Sequence, residues 1–145
     1  MNKENKVYFG VYGIYIKNES VLMINKARGP YTGQYDLPGG KLEFFETIEE
    51  CLTREILEET NSVIEKMQFL GHNEYQCRYI KDGEERDFHH VGLYYLVELD
   101  TSNLKIDPDG QDSLGAKFVL KSDITVVNTS PISYPLIQKA FSAPL

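Results

Sequence analysis

The segment from Glu43 to Glu59 constrains this chain more than any other. It holds seven carboxylates (Glu43, Glu46, Glu49, Glu50, Glu55, Glu58 and Glu59) and one base, Arg54. Thr47-Ile48-Glu49-Glu50 reads as a capping box, with Thr47 at the N-cap and Glu50 three residues on. Ile48, Leu52 and Ile56 then recur every four residues as an apolar stripe. Asn61 tolerates the left-handed backbone that ends many helices, so the spacing predicts a helix that stops near Thr60-Asn61. With Glu55 taken as the origin of the helical wheel, Glu59 falls at about 40° and Glu58 at about −60°, while Ile48 falls at about 20° and Leu52 at about 60°. The three carboxylates therefore continue the side of the helix that the apolar stripe turns toward the protein body. Glu49 and Glu50 point away. Like charges at these spacings repel, and facing them inward raises the cost.

Two readings of this cluster stay open on spacing alone. A solvated, salt-bridged surface helix is one, although it calls for interleaved lysines or arginines and only Arg54 is present. Neutralisation by a divalent cation is the other, because close carboxylates are hard oxygen ligands suited to Mg²⁺ or Mn²⁺.

Composition sharpens the point. The chain carries 22 acidic and 15 basic residues over its 145 positions, for a net charge of −7. Outside Glu43–Glu59 there remain fifteen acids and fourteen bases, so one short segment supplies nearly the whole imbalance. Such a balance argues against a partner nucleic acid polymer, whose binding rests on neutralising many phosphates. The absence of an 18-residue apolar run argues against a membrane span. Met1–Lys6 shows no apolar stretch ahead of a small-residue cleavage site, so no signal peptide is expected and the location is read as cytoplasmic. Cys51 and Cys77 lack metal-site or redox spacing and read as buried free thiols in a reducing compartment. The length fits one domain, 1–145.

The rest of the chain is mostly extended. Val7–Ile16 reads as one long strand, Lys17–Ser20 as a turn and Val21–Ile24 as a second strand. Ala27–Gln34, with two Gly and one Pro, is a loop. Tyr35-Asp36-Leu37 is short and extended ahead of Pro38. Met67–Ile80 and Phe88–Leu99 form two extended runs joined near Lys81-Asp82-Gly83, where Asp-Gly signals a hairpin. Asp107–Asp112 is an acidic loop, Lys117–Leu120 a short strand and Ile132–Phe141 a closing helix in spite of Pro135. Strands before, between and after helices give an α/β or α+β sandwich with a mixed sheet.

Leu37-Pro38-Gly39-Gly40-Lys41-Leu42-Glu43 places a rigid turn and two glycines just ahead of the acidic helix, and glycines let backbone approach a ligand closely. Gly40, five residues, Glu46, seven residues, then Arg54-Glu55-Ile56-Leu57-Glu58-Glu59 resembles the Nudix box, a pattern of G-x5-E-x7-R-E-U-x-E-E-x-G-U in which U is a bulky aliphatic. Lys41-x-Glu43 and the preceding Leu-Pro-Gly match common flanks of that box. Six fixed positions within twenty residues make the match specific. Two positions depart, Asn61 standing at the family's Gly and Ser62 at the next aliphatic. Asn61 can still take positive φ, and Val63 offers a replacement packing contact after a small shift. Neither departure touches a ligand position.

The resemblance implies a Nudix α/β/α sandwich with a mixed β-sheet. It implies hydrolysis of a nucleoside diphosphate linked to another moiety X, with Mg²⁺ or Mn²⁺ as cofactor and a small-molecule nucleotide derivative as partner. Homodimers are common among such proteins. Glu55, Glu58 and Glu59 match the metal-binding and base positions, and the Gly39 carbonyl matches a further metal contact. Arg54 would orient Glu55 through a charge-assisted hydrogen bond, with Glu46 in support. Bound cations would polarise phosphoryl oxygens and activate a water, with Glu55 or Glu58 accepting its proton. Asp112, with Asp109 next, is the candidate for an additional acid. The alternative is a Nudix-like nucleotide-binding sensor without catalysis, against which the intact acids count.

Substrate contacts are less defined. Gly40 and Lys41 begin the box, and Lys26 and Arg28 lie on the loop before it, where they could meet phosphates or stand as ordinary solvated cations. Tyr31, Tyr35, Phe44 and Phe45 flank the site in sequence. Of Phe44 and Phe45, one is expected to pack at the start of the helix and the other to be exposed near the site. His89 and His90 sit next to each other on a strand, so they face opposite sides and do not share one metal ion. A satisfied polar role fits them better.

Overall fold

The computed structural model describes residues 7–106 and 113–143. Eight strands and two α-helices follow one another as β1 (Val7–Ile14), β2 (Ile16–Lys17), β3 (Ser20–Lys26), β4 (Tyr35–Asp36), β5 (Gly39–Lys41), α1 (Ile48–Thr60), β6 (Val63–Lys81), β7 (Glu84–Asp100), β8 (Ser113–Leu120) and α2 (Tyr134–Phe141). One sheet has the order β5-β1-β7-β6, in which β1 and β7 run parallel while β5 and β6 are antiparallel to their neighbours. The other groups β2, β4 and β8 around β3, all antiparallel. The fold is therefore α+β with a mixed sheet.

The predicted strand Val7–Ile16 divides at Tyr15. Its first part belongs to one sheet and Ile16-Lys17 to the other, so the break is where the chain changes sheets. Around it the side chains alternate between two cores. Val11, Tyr15, Leu22, Ile24, Tyr95 and Val97 pack with Cys51, Leu52 and Ile56 of α1. Tyr12, Ile14, Val21, Met23, Tyr94 and Leu96 pack with Leu136, Ile137 and Ala140 of α2. Helices cover both faces, which is why Val21–Ile24 is an unbroken apolar run and not an alternating one. This is the expected sandwich.

Helix α1 forms as its sequence dictates. Glu50 N donates to Thr47 Oγ1 (3.1 Å) and Thr47 N to Glu50 Oε1 (2.8 Å), completing the capping box. Asn61 ends the helix in the left-handed region (φ 54°), its N–H bonded to Leu57 O. The departure at Ser62 is resolved differently from the expectation. Ser62 itself is buried and hydrogen-bonds Thr60 O (3.4 Å), whereas Val63 is more than half exposed and replaces no packing contact.

The hairpin turns at Asp82-Gly83, both at positive φ (53° and 76°), a two-residue turn suited to strand twist. Its strands run further than the apolar pattern suggested, to 19 and 17 residues, because register with a partner extends pairing through polar positions. Among the described residues β1 pairs with β7 from His89 onward, and Glu84–Phe88 pairs with β6 as a two-stranded arm. The closing helix starts at Tyr134, two residues later than expected. Ser133 and Tyr134 N–H groups both turn back onto Ser130 O (3.2 and 3.0 Å), and Pro135 falls in the first helical turn, where a missing N–H costs nothing. Among the described residues no helix is long and apolar enough to cross a membrane.

Candidate functional site

Strand β5 brings Gly39, Gly40 and Lys41 against β1, paired with Tyr12, Val11 and Gly10. The two glycines are thus strand residues, not only a turn. The last two turns of α1 lie across this edge. One cavity of about 420 Å³ is lined there by Gly39, Gly40, Lys41, Arg54 and the carboxylates of Glu55, Glu58 and Glu59. The spacing had assigned those three acids to one side, and they share this cavity.

Arg54 organises the acids. Its Nε and Nη2 donate to the two oxygens of Glu46 (3.0 and 2.7 Å), a bidentate pair. Its Nη1 donates to Glu55 Oε1 (2.8 Å) and, more loosely, to Glu58 Oε2 (3.4 Å), while Nη2 also reaches Lys41 O (3.3 Å). Glu46 in turn accepts from Glu43 N (2.8 Å), tying the loop to the helix. The Arg54 hydrogen bonds hold the Glu46 carboxyl down to about 2. Burial pushes Glu55 up from the ordinary carboxylate range, against the pull of Arg54. Glu59 is fixed from the other side, accepting from Gly39 N at 2.8 Å.

Both glycines are required by geometry. Gly39 has φ 147°, and a Cβ there would lie 2.0 Å from Val11 O. A Cβ on Gly40 would lie 2.6 Å from the Glu55 carboxyl carbon, so the absent side chain is what lets that carboxylate sit on the strand. Cys51 lies beneath the same strand with its thiol directed at the Lys41 and Gly40 carbonyls (3.5 and 3.8 Å), and burial first raises it to about 12. It is a free, inert thiol, as is the half-buried Cys77.

Lys26 and Lys105 also line this cavity; Lys105 carried no signal in the sequence because it follows a polar loop far from the box. The cavity thus sets lysine ammonium groups beside carboxylates. The donor set fits a hard divalent ion in kind: three carboxylates beside backbone carbonyls. Among the described residues, though, no three acidic, histidine or cysteine side chains already converge on one point. Glu55 and Glu59 are held by protein partners, and Glu58 is 59% exposed. Asp112 and Asp109 lie outside the described residues.

A second cavity, of about 470 Å³, adjoins the first through Tyr8, Tyr12 and Lys26. Arg28, exposed, opens onto this cavity and not onto the acidic one. The loop at 28–32 forms one wall and the tip of the β6–β7 arm the other. Its polar floor includes His90, which is 2% exposed, and Asp36, which is also 2% exposed and raised by burial. Asp36 accepts from Leu37 N (2.8 Å) and Ser133 Oγ (2.6 Å). His89 lies on the other face of β7 and pairs with Glu74 (2.8 Å), so the two histidines do face apart. Phe44 and Phe45 correct the expectation for them: both are exposed, Phe45 at positive φ (69°), with their ring centroids 6.3 Å apart. The capping box and the Glu46–Arg54 pair already fix the start of α1, leaving no pocket for either ring.

Comparison with known proteins agrees with this geometry. The family model for the NUDIX domain matches residues 5–139. An ADP-ribose pyrophosphatase of Methanocaldococcus jannaschii is 30% identical over 105 residues, covering 71% of this chain and 57% of that protein. The chain thus spans little more than half the length of that relative. Among solved structures, a MutT NUDIX hydrolase from Burkholderia pseudomallei aligns over 92% of this chain and 98% of its own (24% identity, TM-score 0.68). A MutT protein from Bacillus halodurans aligns over 94% and 83% respectively (17% identity, TM-score 0.68). At these identities the two structures speak for the fold.

Proposed function

The chain belongs to the NUDIX domain family, and from that membership and the geometry of the acidic cavity we propose that it hydrolyses the diphosphate bond of a nucleoside diphosphate linked to another moiety X, with Mg²⁺ or Mn²⁺ as cofactor. One observation carries the reading: Glu55, Glu58 and Glu59 share a cavity with Lys26, Lys41 and Lys105. A diphosphate brings negative charge, so lysines alone would suffice to bind it, and three facing carboxylates with one arginine among them favour cations standing between.

Glu55, Glu58 and Glu59, with the Gly39 carbonyl, are the residues that would hold such ions. When bound, they polarise phosphoryl oxygens and lower the pKa of a coordinated water. The chain's own part is positional. Arg54 keeps the Glu55 carboxylate against Gly40 and is itself locked by Glu46. Glu58, with the loosest tie to Arg54 and the greatest exposure of the three, is our choice to accept the water's proton, Glu55 being the other candidate. Lys41 and Lys26 meet the substrate phosphates, and Gly40 keeps the strand thin enough for their approach. Asp112 stays the candidate for an additional acid.

The test is a panel of nucleoside diphosphate derivatives with Mg²⁺ or Mn²⁺, ADP-ribose first because the archaeal relative is described as an ADP-ribose pyrophosphatase. Metal-dependent release of a nucleoside monophosphate and the phosphorylated X is expected. No turnover across the panel with either ion would discard the hydrolase reading, and heat of nucleotide binding in that case would favour a sensor.

A further inference from the structure

The second cavity has a chemistry of its own. Tyr8, Tyr31, Tyr79 and Phe88 line it with aromatic faces and edges, a surface suited to a flat ring. At its floor His90 Nε2 meets the Tyr12 hydroxyl at 2.8 Å and His90 Nδ1 meets the Tyr31 hydroxyl at 2.9 Å. The Tyr12 hydroxyl can lie there because Gly10, beside it on β1, has no Cβ; one would be 2.1 Å from that oxygen. Tyr8 crosses the imidazole edge-on (5.2 Å, 86°) and holds it in place. Burial, helped by the charge of Lys26, keeps His90 neutral down to about pH 4.

A neutral imidazole has one N–H and one lone pair. Its two tyrosine partners therefore cannot play the same part. Where Nε2 accepts from Tyr12, Nδ1–H donates to Tyr31, and the Tyr31 O–H is left to donate into the cavity. Where Nδ1 accepts from Tyr31, Nε2–H donates to Tyr12, and Tyr31 offers the cavity a lone pair. The Tyr12 O–H, released from Nε2, then turns to the cavity that Tyr12 also lines. Passing between the two states relays one proton from Nδ1 to Tyr31, whose own proton leaves to the cavity, and one from Tyr12 to Nε2, which Tyr12 regains from the cavity side, so the ring and both hydroxyls stay neutral. Both states pair both imidazole nitrogens. A fixed buried polar group rejects a ligand of the wrong polarity strongly, since something is left unpaired. The two states ease that penalty at Tyr31, at the cost of releasing the Tyr12 O–H toward the cavity in the second.

We propose that the aromatic cavity receives the planar base of the nucleotide and that Tyr31–His90–Tyr12 reads its edge with adjustable polarity, accepting rings that carry either an amino or a carbonyl group at the same position. The proposal rests on the nucleotide hydrolase reading above, and its test separates the two. Turnover of ADP-ribose and of its inosine counterpart by the Mg²⁺ enzyme is compared first. The proposal expects kcat/KM values within about tenfold of each other; discrimination above a hundredfold overturns it. Tyr31→Phe, which keeps the ring and removes the hydroxyl, is expected to raise KM about tenfold for both substrates with kcat little changed. A lowered melting temperature with unchanged KM would assign the hydroxyl a structural role only and overturn the proposal.

The decisive measurement needs no turnover. The ¹⁵N shifts of the His90 ring report which nitrogen is protonated. In the wild-type protein saturated with AMP and with IMP, opposite tautomers are expected; the same tautomer in both complexes overturns the adjustable reader. If no substrate is hydrolysed yet the tautomers exchange, the hydrolase reading falls and the cavity's role stands. If hydrolysis proceeds and neither monophosphate perturbs His90, the inference falls and the hydrolase reading stands.

Discussion

The two adjoining cavities are built by opposite strategies. The acidic one draws Glu55, Glu58, Glu59 and its arginine from a single helix, Glu43 from the loop before it and its glycines from the strand before that, all within Gly39–Glu59. The aromatic one gathers residues from β1, the loop after β3, β4 and both strands of the arm, from Tyr8 to His90. The first is local and electrostatic, the second long-range, with aromatic walls over a polar floor. Side-chain spacing on one helix can be tuned without disturbing the sheet, whereas the aromatic cavity depends on the register of parallel β1 and β7, which places Tyr8 beside His90. Chemistry held on a rigid local unit and recognition assembled from the tertiary fold is the division this suggests.

The largest effect that would break this comparison is on turnover. Glu58→Gln keeps shape and removes the carboxylate, so kcat is expected to fall by about a thousandfold or more, with AMP affinity within about threefold of wild type. A matching loss of AMP affinity, read by calorimetry, would mean the two cavities do not divide the work.

Acid stability distinguishes them next. His90 titrates near 4 in the folded protein against an ordinary 6.5. The folded state therefore binds fewer protons between these values, and its contribution, roughly 3 kcal/mol, is complete above pH 6.5 and lost as the pH falls toward 4. Glu46 is depressed to about 2 from an ordinary 4.5, so its contribution is present above pH 4.5 and lost only as pH falls toward 2. Acid should thus reach His90 in the aromatic cavity before the Glu46–Arg54 pair beside the acidic one. Asp36 and Glu55, both raised by burial, act in the opposite direction as they take up protons. Denaturant melts of wild type and His90→Gln across pH 7 to 4 are expected to converge as the pH drops; parallel curves would refute this.

Two smaller effects concern the helix that carries the acids. Thr47→Ala removes the cap and is expected to cost about 1 kcal/mol, a few degrees in melting temperature. Asn61→Gly, at a left-handed position, is expected to change stability by less than about 0.5 kcal/mol, since Gly fits that backbone but loosens the unfolded chain. A large loss would show that the Asn61 side-chain bond to Asn103 O (3.1 Å) matters more than the backbone does.

The same contrast explains what could be read from sequence. Capping residues, the apolar stripe and the grouping of Glu55, Glu58 and Glu59 follow from helix periodicity, so they were legible in twenty residues. The alternation of Val11 and Tyr12 between two cores was not, because both faces of the sheets are buried and the pattern shows only a continuous apolar run. Asp36 shows in sequence only as part of a short extended run ahead of Pro38, and His90 as one of a pair; only the pairing of β4 with β3 and of β7 with β1 brings them to one floor. Phe44 and Phe45 misled for a related reason: aromatic residues near a helix start suggest packing, and nothing local says that Arg54 and the capping box already hold that corner.

Helix α1 also has a direction. Its caps and first-turn acids suit the positive end, but Glu55, Glu58 and Glu59 occupy the half where the carbonyls point, and its last turn has no basic residue. The backbone dipole there disfavours anions by roughly 0.3–1 kcal/mol for each exposed charge. The helix thus holds its carboxylates against its own field, an electrostatic strain that a divalent cation would relieve. A bound ion would be worth RT ln(1 + [ion]/Kd) to the folded state. The proteins that circulate without metal would be the softer population, with the end of α1 the first part of the helix to fray.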